Sequence, residues 1–315
     1  MLDKTAHSTL KLDGPATTED AQYFEYTSSA NPIGAKLISR VPYRSFCASL
    51  YDSGSTRVVP LDLSSELGCP GPATGPGLSA NFVRVLAGET VAVDPNATSL
   101  VFYVVDGSGI VSQGDTGFRF TKGDFFTFPG GIPVNLVSES TTRLYYVNDA
   151  PLLNYMGTRV QDQRFRPTHY PAARAEEELK KVSGAPGAGQ RNRLSILLGN
   201  TNFPQTRTVT HTLWAMFGVV APKTMQKPHR HQSIALDFIS DCKAGCYTLV
   251  GTDLDQNGNI SNPERVDWSP GMVFVTPPGY WHSHYNESDE NCYVIPIQDA
   301  GLQTWLRSLD IRFAK

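Results

Sequence analysis

The sequence predicts an all-β chain that builds an antiparallel sandwich or barrel twice. Three observations carry that expectation. From Ala80 onward the text breaks into short runs rich in β-branched and aromatic residues, at 82–86, 101–105, 117–120, 125–128 and 143–147. Asp106-Gly107, Lys122-Gly123 and Pro129-Gly130-Gly131 separate them, and such punctuation without helical alternation is the signature of antiparallel β architecture. A spaced pattern also occurs twice: Gly123, Pro129 and Gly131 in the first half, Gly271, Pro277 and Gly279 in the second. A repeat of that kind marks two related units.

In chain order, residues 1–79 are rich in Ser, Thr, Gly and Pro and read as an extended N-terminal arm that packs on something larger. Within it, 38–43 and 49–51 are expected strands and 69–77 a loop. Residues 80–150 form the first barrel. Residues 151–191 are a linker in which 174–182 (Arg-Ala-Glu-Glu-Glu-Leu-Lys-Lys-Val) predicts a short charged helix with pairs such as Glu176–Lys180. The Gly/Ala/Pro-rich stretch 183–189 is a flexible link. Residues 192–315 form the second barrel, closed by a short helix over 300–309.

With 315 residues, 40% hydrophobic and 18% charged content and a net charge of -3, the chain reads as a soluble globular protein. Nothing in that balance favours nucleic acid or an anionic membrane as a partner. The first residues lack the apolar core of a signal peptide, and no run approaches membrane-spanning length. Five scattered cysteines fit a reducing compartment, so the expected location is cytoplasmic.

Four of the seven histidines fall in two spaced clusters, His229-Arg230-His231 and His282-Ser283-His284. A strand has period two, so both imidazoles of an H-x-H pair leave one face. A third histidine from a neighbouring strand would complete a facial set of nitrogen donors, suited to Fe, Zn, Cu or Ni, with positions left open for ligands. No histidine occurs between His7 and His169, and Val134 stands where the repeat would place one. The first barrel therefore cannot build a histidine site of its own.

The second cluster fits the second cupin motif, G(X)5PXG(X)2H(X)3N, at Gly271, Pro277, Gly279, His282 and Asn286. In the first motif the two histidines stand in place, but the usual Glu is replaced by Ala235 or Leu236. That pattern resembles the gentisate 1,2-dioxygenase group of cupins, whose iron is held by three histidines and no carboxylate. His229-Arg-His231-Gln-Ser-Ile-Ala-Leu-Asp-Phe238 is similar to that group's H-R-H-T-Q-S-A-L-R-F, and Trp281-His282-Ser-His284 to its W-H-x-H.

The resemblance implies two tandem cupin barrels (double-stranded β-helix, jelly-roll), the first degenerate. It covers the second half closely and the first only as architecture. It implies Fe(II) on His229, His231 and His282, a small-molecule substrate with two adjacent oxygen donors, dioxygen as co-substrate, and cleavage of a C–C bond in an aromatic, quinone-like or dicarbonyl compound. Family habit adds a homodimer.

His284 then falls beside bound dioxygen or substrate. Asp237 stands where the group carries an arginine facing the substrate carboxylate, so gentisate itself is disfavoured if Asp237 faces the pocket. Asp237 is otherwise a wall residue, a partner for a nearby cation, or a fourth metal ligand. Trp214, Phe217, Tyr280, Trp281 and His211 are the expected lining. Two other readings remain: Zn, Mn or Ni acting as Lewis acid in a lyase, isomerase, hydrolase or decarboxylase, and a scaffold bicupin without activity. Residues 253–264 match a calcium loop in letters, but strands are expected on both sides, and the reading there is a hairpin turn.

Overall fold

The computed structural model describes residues 19–314. Residues 19–39 form a unit of their own, in which the short helix α1 (Tyr26–Ser29) is capped by the Glu25 carboxylate accepting from the amides of Thr27 and Ser28. The rest of the expected arm, residues 1–18, lies outside the described residues. Everything from residue 40 belongs to a second compact unit.

That unit starts with two strands, β1 (Ser45–Phe46) and β2 (Arg57–Pro60), and the helix α2 (Ser64–Leu67). Eight strands follow: β3 (Ser79–Val85), β4 (Thr90–Val93), β5 (Ser99–Asp106), β6 (Ser108–Gln113), β7 (Thr116–Thr121), β8 (Phe125–Pro129), β9 (Val134–Ser138) and β10 (Thr142–Asn148). A connecting region holds α3 (Ala150–Met156), β11 (Thr168–Tyr170), α4 (Ala172–Ser183) and β12 (Leu194–Leu197). The second set comprises β13 (Trp214–Val220), β14 (Thr224–Met225), β15 (His229–Arg230), β16 (Ala235–Asp241), β17 (Cys246–Gly251), β18 (Glu264–Asp267), β19 (Val273–Thr276), β20 (Trp281–Asn286) and β21 (Cys292–Gln298). Helix α5 (Ala300–Trp305) and β22 (Arg312–Phe313) are the last elements among the described residues. No helix among the described residues is long and apolar enough to cross a membrane.

Each set of strands makes two facing antiparallel sheets. The first pairs β11-β8-β5-β10-β3-β2 with β4-β9-β6-β7, and the second pairs β1-β19-β16-β21-β13-β12 with β18-β17-β20-β15-β22. The two six-stranded sheets meet back to back. Tyr145 stacks on Phe238 at 4.9 Å, Phe125 meets Phe217 at 6.0 Å, and the Tyr145 hydroxyl donates to the Leu236 carbonyl. This inter-barrel core follows from period-two alternation: in β16, Leu236 and Phe238 join it while Ile239 faces the opposite way, into the second barrel.

The two interiors differ in chemistry. The first is filled with rings, among them Phe102, Phe120, Phe126, Phe128 and Tyr146, and Val134 is fully buried there. The second is apolar at one end only, where Val250, Val266, Trp268, Met272, Phe274 and Val294 pack together.

Some local expectations are corrected. No strand forms over 38–43 or 49–51; the pairing lies at β1, against β19, and residues 48–50 make a single 3-10 turn. The partner strand is more than two hundred residues away, so local composition carries no signal for it. On α4 the i,i+4 ion pairs are Glu177–Lys181 and Arg174–Glu178, whereas Glu176 and Lys180 line a cavity of about 900 Å³ between the barrels. Residues 254 and 260 bridge across a hairpin, and the Asp255 carboxylate accepts from the amides of Asn257 and Asn259 within it.

Candidate metal centre

The repeated glycine pattern shapes the entrance to β20. Gly279 has φ +78°, a left-handed conformation costly for other residues, and its amide donates to the His231 carbonyl at 2.7 Å. The turn therefore ties one histidine's backbone to the strand that carries the next. Asn286 closes the far end of β20 by donating to the carbonyls of Val220 and Glu290.

His229 lies on β15 directly opposite His282 on β20, with ring centroids 3.9 Å apart. β15 ends at Arg230, so His231 sits just beyond the strand and not on the strict alternation expected for H-x-H. All three rings still converge: His229, His231 and His282 offer ligand atoms within 4.8 Å of one another, the only such gathering of His, Cys, Asp or Glu among the described residues.

The donor set fits a divalent ion. A carbonyl can only accept, so the contacts of His231 Nδ1 with the Ser233 carbonyl (2.8 Å) and of His282 Nδ1 with the Tyr280 carbonyl (3.1 Å) place both protons on Nδ1. Each Nε2 keeps its lone pair. His231 Nε2 and both nitrogens of His229 are buried without any partner, which a bound cation would remedy. Burial first, and then neighbouring rings and the positive charge of Arg193, hold His229 and His282 well below the usual imidazole range, and burial with Arg193 holds His231 at about 4. The rings are neutral, as ligands must be. The site is a candidate metal centre built on imidazole alone.

Around it stand side chains from the other sheet. Alternation along β16 turns Ala235 and Asp237 into the barrel with Ile239, so a methyl group occupies the position of the missing carboxylate. Asp237 is buried, accepts from the Thr276 hydroxyl at 2.6 Å, and is pushed up to about 6 by burial, which the Thr276 bond and Arg193 oppose. It is not among the gathered ligand atoms. Trp214 shares the inward face of β13 with Val220, since Ala215, Phe217 and Val219 point to the inter-barrel core, and its indole nitrogen is buried without a partner.

His284 follows His282 on the same face and is completely buried. Arg193 donates to its Nε2 at 3.1 Å, which leaves Nδ1 to donate to Thr248 Oγ1 at 2.8 Å. Trp268 also donates to that oxygen. Arg193, just before β12, was missed from the sequence. It belongs to no motif, and only the pairing of β12 with β13 brings it to the barrel interior. Its Nε is buried and unpartnered, and burial lowers it to about 10.

Three expected lining residues lie elsewhere. Phe217 faces the cavity between the barrels, because it has the opposite parity to Trp214 on β13. Trp281 alternates with His282 and so sits on the outer face of β20, with Arg230 over its ring. His211 precedes β13 and packs near Phe165 and Phe203. Tyr280 is half-buried against the apolar end of the barrel and serves the site through its carbonyl.

No family model matches the chain. Over 116 residues it is 28% identical to gentisate 1,2-dioxygenase 1 of Aquipseudomonas alcaligenes, a match covering 37% of this chain and 30% of the relative. The chain thus spans less than a third of that relative's length. Among solved structures, salicylate 1,2-dioxygenase of Pseudaminobacter salicylatoxidans superposes with a TM-score of 0.69 at 16% identity, over 88% of this chain and 90% of that one. The chain has the bicupin fold. A structure of the salicylate enzyme with gentisate bound gives 0.68 at 15% identity, over 92% and 90% of the two chains. Oxalate decarboxylase of Bacillus subtilis follows at 0.54 and 15%, over 80% and 76%. In this bicupin the histidine set lies in the second barrel, while the first keeps the fold and fills its interior with rings.

Proposed function

We propose that this bicupin is an iron(II)-dependent dioxygenase that cleaves a C–C bond in a small hydroxylated aromatic or quinone-like compound lacking a carboxylate. The carrying observation is the cluster of three neutral histidines with no carboxylate among them, next to a buried arginine. The likeness to gentisate and salicylate dioxygenases supports the same reading.

His229, His231 and His282 would hold the ion, and the neutral shell leaves it its full +2 charge. Bound iron(II) would supply the electron transfer between a chelated substrate and dioxygen. The chain supplies the rest. Arg193 offers positive charge and an unpartnered Nε–H to an anionic phenolate or enolate oxygen. His284, engaged on both nitrogens, orients Arg193 and has no free lone pair for a substrate proton while that contact holds. Asp237 repels a carboxylate and accepts from a hydroxyl or amino substituent. The Trp214 N–H is a further donor toward the barrel interior. The apolar end of the barrel keeps water out.

Dioxygen and one small molecule are the partners in this reading. The five free cysteines fit a cytoplasmic setting, and a homodimer is the assembly expected. The test is metal content of the purified protein, joined to oxygen uptake with hydroquinones, catechols, aminophenols, salicylate and gentisate. About one iron per chain, lost in His229→Ala and His282→Ala, with uptake on the non-carboxylated compounds, is the expected result. Asp237→Arg should shift preference toward gentisate. Stoichiometric zinc, manganese or nickel without oxygen uptake would overturn the dioxygenase reading in favour of a non-redox lyase or isomerase.

A further inference from the structure

The three ligand histidines are not held alike. His231 and His282 each donate from Nδ1 to a backbone carbonyl, which fixes proton position and ring plane. Such outer contacts orient metal-binding imidazoles and tune their basicity. His229 has no hydrogen bond on either nitrogen, although the residue is only 2% exposed. Something other than a hydrogen bond must fix its ring.

The residue beside it comes from the last described segment. β22 pairs antiparallel with β15, with Phe313 directly opposite His229 and Arg312 opposite Arg230. Facing residues on adjacent strands point to the same side, and the Phe313 ring lies 5.8 Å from the His229 ring at 21°, a stacked arrangement. The Ala314 amide donates to the Pro228 carbonyl, and the Asp310 amide to Gln232 Oε1. The segment is thus bonded on either side of the two ligands His229 and His231. β15 is only two residues long and meets β20 at a single pair, so without β22 it would be a short edge strand. Phe313 itself remains 51% exposed, a large apolar ring at the surface, with the ligand imidazole behind it.

We propose that residues 310–314 are a positioning element of the metal centre. In it the Phe313 ring holds the His229 imidazole in its ligating orientation and shields it from water. The inference rests on the three-histidine reading but adds a residue that no ligand motif contains. Phe313 touches no reacting atom in this assignment, and it acts through His229.

The experiment is Co(II) binding to the apo form of the 315-residue chain, measured in competition with a chelator, together with the visible spectrum of the Co(II) form. The spectrum reports ligand geometry independently of catalysis. Wild type, Phe313→Ala, Phe313→Leu and Phe313→Tyr are compared, with thermal unfolding of each apo form as control. Phe313→Ala and Phe313→Leu should weaken Co(II) binding about tenfold or more and alter the spectrum, the range typical for losing a residue that orients a ligand. Phe313→Tyr, which keeps the ring, should restore both.

Should Phe313→Ala fail to fold, Phe313→Leu, which keeps the strand and the apolar contact, carries the test alone. Wild-type affinity and spectrum in Phe313→Leu would overturn the proposal. So would a Phe313→Tyr protein as weak as the leucine variant. A wild-type chain that binds no Co(II) would overturn the three-histidine reading and this inference with it.

Discussion

Asp237 is a carboxyl group sealed in a barrel with the Thr276 hydroxyl and the Arg193 guanidinium as its polar neighbours, and its proton equilibrium has a measurable cost. Burial pushes it from 3.8 to about 6, so the native state keeps a proton that the unfolded chain has released between those values. Stability linked to Asp237 is therefore complete below about pH 4 and declines as pH rises through 6. Asp237→Asn should stabilise the apo protein at pH 7 by up to about 3 kcal/mol, with the gain vanishing near pH 4. Unfolding of the apo protein in denaturant at the two pH values checks this. The ligand histidines have the opposite sign. Their folded values are depressed, so their contribution is intact above about 6.5 and is lost as pH falls below that, toward about 4 in the case of His231. Each ring adds a slope of up to about 1.4 kcal/mol per pH unit in that window. Metal affinity, in contrast, should be nearly flat between pH 7 and 8, because no ligand proton remains to be displaced. A steep loss of Co(II) affinity over that range would contradict neutral ligands. Of these residues, the histidines could be read in the sequence because their spacing encodes a face. Arg193 could not, since it is one cation among many until β12 is paired.

β16 performs two tasks with its two faces. Leu236 and Phe238 join the inter-barrel core, while Ala235, Asp237 and Ile239 face the interior of the second barrel. Phe238→Ala should cost about 3–5 kcal/mol of stability through the cavity it leaves among Tyr103 and Tyr145, yet leave Co(II) binding intact at low temperature. Denaturant unfolding and metal titration separate the two effects. The same parity rule explains which lining residues were placed wrongly. Phe217 and Trp281 are aromatic and near the motifs in sequence, but each is one residue out of phase with the inward face. Strands within each barrel were legible from β-branched and aromatic runs between glycines, and α4 from its charge pattern. The strand at 45–46 was not, because its hydrogen bonds are all to β19.

The two barrels share one apolar interface, contributed by the six-stranded sheet of each. Residues 192–315 alone would expose Phe217, Leu236, Phe238, Val273, Val275, Ile295 and Ile297, and would also lack β1. That fragment should aggregate or bind a hydrophobic dye, whereas the full chain should elute as a discrete species in gel filtration. The first barrel, whose His169 on β11 is paired with Asp124, is the surface on which the second barrel is finished. The seam between them is sewn by the segment before the first barrel: β1 joins the second barrel, β2 joins the first, and the Tyr51 hydroxyl donates to the carbonyl of Gly271, 220 residues further along. On a ribosome, that tyrosine emerges roughly 10–45 s before its acceptor exists, at usual elongation rates. During that interval the segment 40–60 is tethered to a growing chain with half its partners unsynthesised. Docking of this segment on the second barrel therefore waits for the synthesis of Gly271 and β19, and a chaperone that shields it during that interval should raise the yield of folded protein.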